Sequence, residues 1–269
     1  MKAFRRFRLL GLVLLGLALS ALIARADSDL DAANRAYTYG SYDEAAGLFQ
    51  KIIESRGYSA ALCFDLANAE ARAGHPGAAM LNYERARYLA PADKEIDHNL
   101  QLERMKSGLR PNSYRWWEIA LRSIDWSVWA ALIAACLVLI FLAILGLSSL
   151  PALSAGTRIR SGALRNIFRA TLFVGIPLAL LLGFIELATI GFSHRIDGVI
   201  VAPKAATLWV SPFDSSDSRG AIAEGELVTV ENRHNDYVWI EARDNQFGWV
   251  RLKDIEPVVA GSFDEKGGE

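Results

Sequence analysis

Two apolar stretches, Trp126–Leu147 and Ala170–Phe192, constrain this chain more than any other feature. The first carries no charge, and the second is interrupted only by Pro177 and Glu186. Each supplies the ~20 apolar residues that a helix needs to cross ~30 Å of hydrocarbon. Core helices of soluble proteins seldom go so far without charge, so both are expected to be transmembrane helices, with Pro177 as a kink in the second. An acid inside a span is costly unless paired or near water, which makes Glu186 a candidate intramembrane polar position. The loop between them, residues 148–169, contains Arg158, Arg160, Arg165 and Arg169. Short arginine-rich loops stay cytoplasmic, so both flanking soluble parts are expected outside.

The N-terminus agrees independently. Lys2, Arg5, Arg6 and Arg8 precede an apolar run from Leu9 to Ala24, then Ala24-Arg25-Ala26. That is the pattern of a secretory signal peptide over residues 1–26, or of an uncleaved anchor with the same orientation. Trp116, Trp117, Trp126 and Trp129 gather where the first span meets the outer interface, as an aromatic belt does. Residues 108–125, broken by Pro111 and Asn112, read as a linker with an amphipathic piece lying on the membrane surface.

Charge and composition narrow the function. From Ser193 onward there are fourteen acids and eight Lys or Arg, a net of −6, which argues against a nucleic-acid surface. Cys63 and Cys136 fall in a repeat helix and a span, so no disulfide is expected. The histidines His75, His98, His194 and His234 have no metal-site spacing, and no phosphate loop or nucleophile elbow occurs. A non-enzymatic protein without metal or cofactor is expected.

Residues 27–107 show helical periodicity with turn residues at regular intervals. Two segments, about 26–59 and 60–93, superpose at a period of 34: Asn34 with Asn68, Gly40 with Gly74, Ala45 with Ala79, Phe49 with Tyr83. Length and pattern resemble the tetratricopeptide repeat. The second copy, with Leu66, Ala67, Gly74, Ala79, Tyr83, Ala86 and Pro91, matches better than the first, where Gly57 stands at the proline position and Ile52 at an alanine one. A third helix, about 92–107, reads as a cap. Ala45 and Ala79 are expected to let helices approach, with the aromatics filling the space beside them. The resemblance puts binding on the concave face, with Asn34, Tyr37, Phe64, Asn68, Arg72 and, on the cap, His98 as candidates. Asn34 and Asn68 would hold an extended peptide or, alternatively, satisfy neighbouring helix termini.

After Asp197 the rhythm becomes short alternating strands separated by turns: GVIVA, ATLWVS, LVTVE, DYVWIEA and FGWVRL. Five strands suggest a small closed barrel over residues 195–258, with 259–269 as a disordered tail. The strand ending in Ser-Pro, the Glu-Gly before the central strand and the closing Gly-Trp-Val resemble a bacterial SH3-like (SH3b) domain. On that reading Trp239 and Trp249 belong to the core, and Trp209 and Tyr237 form a surface ligand shelf. SH3b domains often bind peptidoglycan or peptides.

The fold expected is thus a multidomain membrane protein: all-α tetratricopeptide repeats, two transmembrane helices and a C-terminal small all-β SH3-like barrel. That order resembles the BatE-type proteins of bacterial aerotolerance (Bat) operons, whose members occur beside MoxR-type ATPases and von Willebrand A membrane proteins. The resemblance implies an inner-membrane, multi-pass scaffold presenting two binding modules to the periplasm and serving protein partners, von Willebrand A components among them, in envelope stress or aerotolerance. The alternative is a peptidoglycan-binding envelope receptor or sensor, against which the short cytoplasmic loop counts.

Overall fold

A computed structural model describes residues 28–112, 116–123, 126–154, 161–193, 196–242, 245–259, 261 and 263. The expected signal peptide, the centre of the basic loop and most of the expected disordered tail lie outside the described residues. The chain divides into two units. One combines the segments up to Ser113 with those from Ile196 onward, and the other is the intervening Tyr114–Arg195.

In the first unit, α1 (residues 28–38) ends in a turn at Gly40, whose φ of +82° favours glycine. Four helices follow, α2 (Tyr42–Arg56), α3 (Ala60–Ala73), α4 (Pro76–Leu89) and α5 (Lys94–Lys106). Their boundaries follow local chemistry. Ser59 caps α3 by accepting the Leu62 N–H, Gly74 closes it in the left-handed conformation, and Pro76 opens α4. Asp93 caps α5 by accepting the N–H groups of Glu95 and Ile96. The small residues do what their spacing suggested: Ala45 and Ala79 are fully buried, and Phe49 and Tyr83 nearly so. One apolar cluster, including Ala33, Phe49, Ile53, Cys63 and Leu66, joins α1 to α2 and α3.

The C-terminal part is a curled, antiparallel, seven-stranded half-barrel. Its strands are β1 (Ile196–Ile200), β2 (Ala205–Trp209), β3 (Ser218–Ala223), β4 (Leu227–His234), β5 (Tyr237–Ala242), β6 (Phe247–Arg251) and β7 (Ile255–Pro257). They lie in the order β3-β2-β6-β5-β4-β1-β7. The sheet therefore ends on β3 and β7 and does not close, contrary to the expected barrel. Strands β1, β2, β4, β5 and β6 were legible, whereas β3 and β7 were not. In β3 only Ile222 is buried, so no alternation marks it, and β7 is three residues long. Val228, Val230, Val238, Ile240 and Val250 form the inner core.

The helices and the half-barrel are parts of one body. Met80, Leu81, Tyr83 and Leu100 share a buried cluster with Val199, Leu227 and Val258. Around this seam, Arg104 Nη2 pairs with the Glu226 carboxylate at 3.1 Å, and Arg85 Nη2 reaches Glu256 at 3.3 Å and the Pro257 carbonyl at 3.0 Å. Glu224 accepts from the Gly77 N–H at 3.0 Å, placing a carboxylate at the positive N-terminal end of α4. Two glycines make this approach possible. A Cβ at Gly77 would lie 2.9 Å from Glu224, and one at Gly225 would lie 2.4 Å from Met80 Sδ.

The second unit contains α6 (Trp116–Ser123), α7 (Trp126–Ser154) and α8 (Ser161–Ser193). Stretches Ser127–Ser148 and Arg165–Ile185 are long and apolar enough to cross a membrane. Both helices run beyond the expected spans and into the basic loop. They pack on each other, and Gly146 leaves room for the Phe168 ring, which a Cβ would strike at 2.4 Å. Leu137, Phe141, Phe173, Val174 and Phe184 remain exposed. Pro177 lies within α8, as does Glu186, whose side chain is outside the described residues.

Candidate binding surfaces

The six repeat-face candidates divide into three groups. Tyr37, Asn68 and Arg72 line a cleft of about 250 Å³ together with Asn99, Leu102, Glu103 and Lys106. Phe64 is half-buried and packs edge-on against Tyr83, with ring centroids 5.9 Å apart, so it supports the cleft from beneath. Asn34 and His98 are exposed and are not among the lining residues.

Asn68 owes its position to Tyr83, whose hydroxyl donates to Asn68 Oδ1 at 2.6 Å. Burial, and after it the Glu103 carboxylate, raises the Tyr83 pKa, which keeps the phenol protonated as that donor. The amide oxygen is thus spent within the body. Tyr37 is held by an edge-on contact with Tyr42. Arg72 is exposed, and Lys106 Nζ bonds Glu103 Oε2 at 3.0 Å while staying mostly exposed itself. The cleft therefore offers two cations, an asparagine on each wall and one aromatic edge, over a floor that includes one neutralised acid.

The α5 side of this cleft was missed in the sequence, where His98 was chosen instead. One residue along a helix rotates a side chain by about 100°, enough to turn His98 away and bring Asn99 in. Asn99, Leu102, Glu103 and Lys106 recur at i, i+3, i+4 and i+7, the spacing of one helix face, and that was the available signal.

The second surface lies on the outer face of the half-barrel. Strand register places Trp239 opposite Trp249, Trp249 opposite Trp209 and Asn232 opposite Trp239, so one row crosses four strands. Trp239 and Trp249 are half-buried on this face, not in the core as expected, because β5 and β6 carry large apolar residues on both sides. The rings support one another: Trp239–Trp249 centroids are 5.5 Å apart, Trp239–Phe247 5.8 Å and His234–Trp249 6.3 Å. Arg251 lies 5.8 Å from the Trp209 ring centre and Arg219 4.9 Å from that of Phe247.

Trp209 takes part in this row. Tyr237 does not form an open shelf: it is buried, and its hydroxyl donates to Asp214 in the β2–β3 loop. Arg251 Nη2 donates to the same carboxylate at 2.6 Å. The Tyr237 hydrogen bond, and then Arg251, hold the Asp214 carboxyl below its usual range. Tyr237 is thus a fastening for the loop that borders the aromatic row.

A wider cleft of about 540 Å³ lies at the margin of the helix–sheet seam, bordered by Tyr58, His75, Arg85, Glu224 and Glu256. Glu224 and Glu256 are already engaged with α4 and Arg85, which assigns that cleft to the seam. No family model matches the chain, and no curated protein does.

Proposed function

We propose that this protein is a non-enzymatic scaffold of the bacterial inner membrane, in which tetratricopeptide-like helices recruit a protein partner in the periplasm. The observation that carries this reading is the open, polar cleft of Tyr37, Asn68, Arg72, Asn99 and Lys106. Its side chains suit the backbone and carboxylates of an extended peptide. The exposed apolar surfaces of α7 and α8 favour a membrane anchor. The division into units supports the sidedness. A segment that crosses twice returns the chain to the side it left, and the body made from both flanking segments requires that return. With the arginine-rich loop cytoplasmic, both soluble segments are periplasmic. By resemblance, the partner is a von Willebrand A membrane protein of a MoxR-linked Bat assembly acting in envelope stress or aerotolerance.

The test is crosslinking in intact cells, affinity purification of the tagged chain and mass spectrometry, with Arg72→Glu and Lys106→Glu in parallel. A von Willebrand A protein recovered with the wild type and lost with both variants supports the scaffold. Equal recovery with the variants excludes the cleft.

The aromatic row favours one further reading, a peptidoglycan receptor built on an SH3-like sheet, because flat rings stack on sugar faces. Sedimentation of the detergent-solubilised chain with purified cell walls tests it. Binding that disappears on replacing Trp209 and Trp239 by alanine would shift the assignment to the sheet.

A further inference from the structure

The chain departs for the apolar helices through residues 109–112, and this strap is gripped far more firmly than a linker requires. Leu109 donates its N–H to the Arg104 carbonyl at 2.8 Å, and its side chain packs against the seam cluster. The Arg110 carbonyl accepts from Arg104 Nε at 2.8 Å. Asn112 is only 1% exposed. Its N–H donates to Gln101 Oε1 at 2.8 Å, and its carbonyl accepts from Arg87 Nη1 at 2.6 Å and Gln101 Nε2 at 2.7 Å. Its Nδ2 donates to Glu84 Oε1 at 3.2 Å. Arg87 and Glu84 are themselves a buried pair.

The returning segment is held by one of the same side chains. Arg104, also 1% exposed, directs Nη1 to the Gly225 carbonyl at 3.4 Å and Nη2 to both oxygens of Glu226. One buried guanidinium thus spans the strap and the sheet. Breaking one part of a buried charge's shell leaves that charge under-compensated and strongly disfavours the remaining arrangement. The two grips therefore stand or fall together.

We propose that Arg104 is a latch coupling the strap to the docking of the half-barrel. Displacing residues 109–112 loosens the sheet from α4 and α5 and uncovers the seam of Met80, Leu81 and Leu100 against Val199, Leu227 and Val258. The strap is the segment that continues toward α6 and α7, so force or rearrangement in a membrane assembly reaches the seam through it. Only that source of force rests on the membrane reading; the coupling rests on contacts within one body.

Hydrogen–deuterium exchange on the full chain in detergent tests the latch, using Asn112→Gly, which removes the side-chain hydrogen bond to Glu84 on α4 and frees the strap backbone. The expected result is at least a ~10-fold rise in exchange over residues 77–83 and 225–230, with α2 and the β5–β6 hairpin still protected. A rise confined to the strap overturns the proposal. If Asn112→Gly unprotects the whole body, Gln101→Ala loosens the strap while leaving the Glu84–Arg87 and Arg104–Glu226 pairs in place, and is judged by the same criterion. In a cycle with Glu226→Gln, strap and sheet effects should be non-additive by at least ~5-fold in opening equilibrium. Additivity also overturns the latch. Cysteine labelling of the loop between α7 and α8 in cells tests the membrane reading separately, and its failure leaves the coupling result standing.

Discussion

Replacing Gly225 by alanine tests the helix–sheet seam at its tightest point. Two costs add. Gly225 has a φ of +80°, where an L side chain costs roughly 1–2 kcal/mol. The new Cβ would also lie 2.4 Å from Met80 Sδ and 2.5 Å from its Cε. Met80 is fully buried, so its thioether has to repack within the seam, an overpacking cost of about 1–3 kcal/mol. Together these give roughly 2–5 kcal/mol, and for a body of this size a fall in Tm of about 5–15 °C. Gly74→Ala supplies the control, since its φ is +88° but no atom lies within 4 Å of the added carbon, leaving only the backbone term. Thermal unfolding of the full chain in detergent, followed by near-ultraviolet circular dichroism, measures both. Equal losses from Gly225→Ala and Gly74→Ala, within about 0.5 kcal/mol, would refute the contact with Met80. Met80→Ala combined with Gly225→Ala should cost less than the sum of the single changes, because the space vacated by the sulfur accepts the new methyl.

The β2–β3 loop should respond to acid. Asp214 has a lowered folded pKa, so its contribution is complete above its unfolded value near ~4 and is lost as pH falls through the still lower folded value; tryptophan fluorescence of Trp209 and Trp249 should stay constant down to about pH 4 and change below it, and Asp214→Asn should remove that transition. Cys63 is fully buried, and burial raises its thiol pKa to about 11, so alkylation at pH 8 should spare it in the folded chain and reach it only after denaturation; mass spectrometry of labelled peptides decides. Gly77→Val should detach Glu224 from the start of α4 and accelerate proteolysis at the seam, whereas Gly47→Val, at a position with open space around it, should leave cleavage unchanged apart from a small helix-propensity cost.

The parts of this architecture governed by local periodicity were legible. Alanine and aromatic spacing located α2 to α4, the apolar runs located α7 and α8, and alternation located five strands. The seam was not legible, and α4 shows why. Glu84, Arg85 and Arg87 are of residue types that are rarely buried, yet all three are buried. Glu84 and Arg87 pair with each other, but the groups that complete their burial come from outside the helix, Asn112 and Asp97, and those of Arg85 from Glu256 and Pro257. Periodicity carries no information about such partners. The tryptophans failed for a different reason: with large apolar residues on both faces of β5 and β6, a period of two cannot say which face is inner. Regular helix pairing brings Tyr37, Asn68 and Arg72 to one cleft, whereas His98 lies one residue away from the α5 face that lines it.

The seam also sets a timetable for biosynthesis. Arg85 emerges from the ribosome 171 residues before Glu256, and Arg104 122 residues before Glu226, with both apolar helices made in between. At ~5–20 residues per second, on the order of 10–30 s pass before the last acidic partner is available. Throughout that interval α4 and α5 present unpaired guanidinium groups beside Met80, Leu81 and Leu100. A nascent or truncated chain lacking the C-terminal strands therefore displays both charge and grease where the finished protein displays neither. Chaperones and proteases can read that difference, so survival of the helical half reports that the C-terminal strands have been made.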